Sequence, residues 1–114
     1  LKITKIAALA GALITSPFVA AEGTKEVLMG VDILPNSIEL HVASGGCTSA
    51  NSFTINVDKT ASPHSVTVLR VQPDFCEAHI PDGIKVSFDR AALGLDGKVE
   101  FILTNKIGNT STLQ

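Results

Sequence analysis

The chain has no tryptophan, no tyrosine, one methionine and five phenylalanines in 114 residues. Nucleic-acid binders that stack bases on aromatic platforms draw on residues this chain hardly has. There is no run of lysine or arginine, so no stripe to follow a phosphate backbone. No apolar run approaches the roughly 20 residues of a membrane-spanning helix. There are two cysteines and no C-x-x-C, which removes the local signature of a zinc ribbon or a dithiol oxidoreductase. G-x-S-x-G, the P-loop and G-x-G-x-x-G are all missing, so neither an esterase elbow nor a nucleotide cradle has local support.

The beginning of the chain has the form of an export signal. Lys2 and Lys5 make a short basic start, residues 6–14 are apolar, and Thr15-Ser16-Pro17 breaks the run. Val19-Ala20-Ala21 then offers the small residues of a cleavage site. We therefore expect a signal peptide over residues 1–21, a domain over 22–106 and a polar tail over 107–114. The expected location is a bacterial periplasm or the medium beyond it, with no stable membrane anchor after cleavage. Once Lys2 and Lys5 are gone, seven basic residues face eleven acidic ones, an ordinary acidic surface.

Export bears directly on Cys47 and Cys76. Two cysteines in a small exported domain are expected to form one disulfide, closing a 29-residue loop. The rival is chemistry around Cys76-Glu77-Ala78-His79. A zinc site would need Cys47 and either His41 or His64 to complete it, and none of these has metal-like spacing. A Cys–His nucleophile would need a free thiolate, which a disulfide removes. A Ser-His-Asp set assembled from distant positions has no local signature. Asp89, Asp96 and Glu100 lack the order of a calcium loop. No cofactor, no metal and no catalytic residue is expected.

Alternation marks strands. Residues 38–42, 53–58 and 84–89 alternate apolar and polar side chains without a fault, and residues 99–104 nearly do. This is the period of half-buried antiparallel strands. Residues 26–34 are expected as a first strand with a bulge at Gly30. Residues 66–71 form another, whose alternation slips at Val68-Leu69; a bulge or a strand covered on both faces would explain that. Pro35-Asn36-Ser37, Ala43-Ser44-Gly45-Gly46, residues 59–63, Pro73-Asp74 and Pro81-Asp82-Gly83 read as turns. Residues 90–95 are expected as one short turn of helix closed by Asp96-Gly97. The fold class is all-β, an antiparallel, immunoglobulin-like sandwich or small barrel of about six to seven strands with one disulfide. The missing tryptophan and tyrosine leave the architecture without that family's hallmarks. The expected core is Val27, Val31, Ile33, Ile38, Leu40, Val42, Phe53, Ile55, Val57, Val66, Val68, Ile84, Val86, Phe88, Val99, Phe101 and Leu103.

Two loops meet at the expected disulfide and make the candidate binding surface. One contributes Gly45, Gly46, Thr48, Ser49 and Asn51, with glycines free to take positive φ. The other contributes Asp74, Phe75, Glu77 and His79. Phe75 is expected to cover the core beneath the disulfide; its rival role is an apolar anchor for a partner. His41 falls on the polar phase of its strand and is expected at the surface.

Gly46-Cys47-Thr48, Phe53 and Arg70-Val71-Gln72-Pro73-Asp74-Phe75-Cys76 resemble a pattern in small exported bacterial proteins of unassigned function. The resemblance implies export and the disulfide, and carries no activity or site residue. The expected function is a non-enzymatic module that offers loops or a sheet edge to an unidentified protein partner. An inhibitor of a protease or other exported enzyme is the alternative, and a small-molecule or metal carrier comes third.

Overall fold

The structure, a computed structural model, describes residues 23–108. The expected signal peptide and residues 109–114 lie outside them. Among the described residues seven strands run in chain order: β1 (Thr24–Lys25), β2 (Gly30–Ile33), β3 (Ser37–Val42), β4 (Phe53–Asp58), β5 (His64–Arg70), β6 (Ile84–Asp89) and β7 (Phe101–Leu103), with a 3-10 turn at Ala50–Ser52. They form two sheets. In the first, β4 lies on one side of β5, while β1 and β7 share the other; in the second the order is β2-β3-β6. All pairings are antiparallel except β5–β7, which is parallel. No helix among the described residues is long and apolar enough to cross a membrane.

The faultless alternations become β3, β4 and β6, because one phase of each strand faces the opposite sheet. Ile38, Leu40, Val42 and Val86 from one sheet and Phe53, Val66 and Val68 from the other form a single core with Leu28 and Leu95. Each such side chain, removed from water, contributes about 1.5–3 kcal/mol. Val31, Ile55, Val57, Ile84, Phe88, Val99, Phe101 and Leu103 are half-buried against it. β5 pairs with β4 without a break in register and none of its residues is exposed. The Val68-Leu69 slip therefore marks a covered strand.

The first expected strand is corrected. Gly30 is the register partner of His41, yet Met29 donates its N–H to the His41 carbonyl at 2.8 Å. Two residues oppose one, which is the count of a bulge. The extra residue inverts the phase before it, so Leu28 is fully buried and Val27 only half-buried; beyond the bulge Ile33, at the strand end, is 49% exposed. Residues 90–95 are also not helical. Leu93 and Gly94 close turns on Arg90 and Ala91, Gly94 has φ +73°, and the chain then drops Leu95 into the core. Of residues 99–104 only Phe101–Leu103 is strand. Ile107 bridges to Leu28, and the Gly108 N–H donates to the Leu28 carbonyl.

β7 and β1 leave a gap between them on β5, and Asn105 fills it. Its Oδ1 accepts the Val68 N–H (2.8 Å), and its Nδ2 donates to the carbonyls of Val68 (2.9 Å) and Glu26 (2.7 Å). One buried amide thus replaces a missing stretch of strand, as buried backbone groups require.

Candidate functional site

The loops that leave β3 and β5, residues 43–52 and 71–83, are joined by the Cys47–Cys76 disulfide with a Cα–Cα distance of 5.7 Å. The Asp74 carboxylate sits between the loops. Oδ2 accepts the N–H groups of Gly45 (2.8 Å) and Cys47 (3.1 Å) and the Thr48 hydroxyl (2.6 Å). Oδ1 accepts the Cys76 N–H at 3.0 Å. The Ala78 N–H donates to the Gly45 carbonyl at 2.9 Å, a further tie between the loops. These donors favour the charged form. The Thr48 hydroxyl has the largest effect, burial opposes it, and the Gly45, Cys47 and Cys76 N–H groups add to it, holding the carboxyl well below the usual carboxylate range.

Arg70, at the end of β5, extends the network. Nε and Nη2 donate to the two Glu26 oxygens (3.1 and 2.9 Å), Nη2 to the Ala43 carbonyl (3.1 Å) and Nη1 to the Thr48 hydroxyl (3.0 Å). The guanidinium lies over the Phe53 ring at 4.7 Å from its centroid. Thr48 thus receives a hydrogen bond from Arg70 and gives one to Asp74. Glu26, Arg70, Thr48 and Asp74 form one continuous chain from strand β5 to the loop tips. The planar, fixed donors of arginine suit such a fork.

The two glycines differ. Gly46 takes φ +114°, as expected. Gly45 does not have positive φ; a Cβ there would collide with the Cys76 carbonyl, so glycine permits the loops to meet. Thr48 and Asp74 are drawn into the network. Ser49 and Asn51 are exposed at the 3-10 turn, and Glu77 and His79 are exposed on the second loop.

Phe75 is the correction. It is 84% exposed and covers nothing beneath the disulfide. The reason is local: Asp74 turns inward to collect donors, the cysteine is tied to Cys47, and the residue between them is left outside. His41 is half-buried, its Nε2 bonded to the Asp82 carbonyl at the far end of the second loop. Arg70 and Glu26 were not among the expected site residues. A lone arginine closing β5, two residues before Gln72-Pro73-Asp74, is the mark this network leaves in the sequence.

The Cys47 and Cys76 sulfurs and an Asp74 oxygen lie within 4.8 Å of one another, a spacing that would suit a metal. The sulfurs are bonded to each other, so neither offers a thiolate. The carboxylate oxygens are already engaged by the loop donors.

No family model, curated protein or solved structure matches this chain.

Proposed function

We propose that the chain is an exported, non-enzymatic protein-binding module whose contact surface is the clamped double loop. One observation carries this reading: Phe75 is 84% exposed on a loop held by a disulfide and by the hydrogen bonds that Asp74 accepts from both loops. A single exposed apolar side chain is ordinary. An aromatic held out on a rigid support is different, because the entropy of ordering it is already spent before a partner arrives. The polar side chains able to do chemistry here, Asp74, Thr48 and Arg70, are engaged in holding the loops. Around Phe75 the second loop carries Glu77 and Asp82 and no lysine or arginine, so the partner surface would be an apolar pocket with a basic rim.

A photo-crosslinking phenylalanine analogue at position 75, in exporting cells, tests the reading. The expected result is a discrete adduct that disappears when both cysteines are replaced, with none from an analogue at the exposed Thr54 of β4. No adduct at 75, or the same adducts from both positions, would count against it. The exposure of Phe75 also favours a narrower form, inhibition of an exported protease whose pocket takes an aromatic side chain. In that form Phe75→Ala abolishes inhibition while the domain stays folded.

A further inference from the structure

The open edge of β6 is matched to a second copy of itself. In the second sheet the Ser37 carbonyl accepts the Leu34 N–H, and the His41 carbonyl accepts the Met29 N–H. Residues 37, 39 and 41 of β3 therefore turn their backbone groups toward β2, and residues 38, 40 and 42 toward β6. The register partners of the latter are Phe88, Val86 and Ile84. The Arg90 N–H, which donates to the Asn36 carbonyl, continues the same parity. The backbone groups of Lys85, Ser87 and Asp89 consequently face away from β3, along an edge where β6 has no strand neighbour among the described residues. The 3-10 turn at Ala50–Ser52 touches β6, yet Lys85, Ser87 and Asp89 are all exposed.

This edge has neither proline nor bulge, two of the devices that keep foreign strands away. Its guards are charges, and the sequence Ile84-Lys85-Val86-Ser87-Phe88-Asp89 arranges them symmetrically. A two-fold axis at Ser87, with β6 strands antiparallel, places Ser87 opposite Ser87 and Lys85 opposite Asp89 twice. These are the residues whose backbone groups point outward, so each of the three pairs can exchange two hydrogen bonds. On the inner face Val86 of one copy meets Phe88 of the other, and Phe88 is only half-buried in the single chain. The other long free edge, β4, does not match itself as well. Its backbone parity exposes Ile55 and Val57, and its one charge, Asp58, would meet Ser52 or Thr54 but no cation. We propose that the partner of the β6 edge is the β6 edge of a second copy, giving a continuous six-stranded sheet with the order β2-β3-β6-β6-β3-β2.

The test uses the exported chain and two charge variants in sedimentation across a wide concentration range, with circular dichroism to verify the fold. The wild type is expected to dimerise reversibly, and more weakly at high salt. Lys85→Glu opposes Glu to Asp89, and Asp89→Lys opposes Lys to Lys85, so each variant alone should lose at least tenfold in affinity. Mixing the two restores both pairings, and the heterodimer should form where neither homodimer does. A wild type that is monomeric throughout, a dimer indifferent to Lys85→Glu, or folded variants that fail to rescue each other would overturn the proposal.

Discussion

Asp74 combines the two features that make a residue hard to replace: it gathers donors from both loops, and those donors need a charge. Asp74→Asn puts an amide group where either the Cys76 N–H or the donors to Oδ2 need an acceptor. We expect this variant to melt several degrees below the wild type at neutral pH. Because the folded carboxyl titrates below its unfolded value of about 3.9, its contribution is complete above that value and is lost as pH falls toward the folded one. Thermal melts against pH should show the gap between wild type and variant constant near neutrality and closing below about pH 4. Phe75 is the opposite case. With 84% of its surface in water, Phe75→Ala should change unfolding free energy by no more than about 0.5 kcal/mol in denaturant titration. A larger loss would mean that the ring supports the fold.

At the scale of strands, alternation was enough for β3, β4 and β6, because each has one face on the core and one in water. β4 and β6 match their expected bounds, and β3 starts one residue earlier. The bulge at Met29-Gly30 was legible as a place, since glycine suggested it, but its effect on phase was not. Val27, Met29, Val31 and Ile33 alternate well, and nothing in that pattern says that Leu28 is the buried residue. The direction of β7 was equally silent, because apolar period two is the same for parallel and antiparallel partners. Asn105 was hidden by its type: an asparagine before a polar tail reads as surface, and its role exists only once β7 and β1 flank β5. Asn105→Ala would leave the Val68 N–H and the Glu26 carbonyl short of a partner, while the Val68 carbonyl keeps the Glu26 N–H (3.1 Å). We expect a cost of about 2–3 kcal/mol in denaturant unfolding, and a loss below about 0.5 kcal/mol would mean that water replaces the amide.

For the whole molecule, the pairing of Cys47 with Cys76 was legible from the cysteine count and the expected export together, whereas the network around it was not. Arg70, Glu26, Thr48 and Asp74 are separated by up to 48 positions, and only the folded sheets bring them into line. Replacing both cysteines by alanine removes a constraint on a 29-residue loop, for which chain entropy gives about 3.6 kcal/mol. Against a total of about 5–10 kcal/mol for a domain of this size, the doubly substituted chain should still fold at room temperature with a much lower denaturation midpoint. Both the proposed contact surface and its anchor depend on the loops being held still. Amide hydrogen exchange of the oxidised protein, read residue by residue, tests that most directly. The N–H groups of Gly45, Cys47 and Cys76 should exchange as slowly as the ladder amides of β3, and should exchange fast in Asp74→Asn. If in the wild type they exchange at the rate of an unstructured chain while the β3 ladder stays protected, the clamp does not exist, and Phe75 is an ordinary residue on a mobile loop.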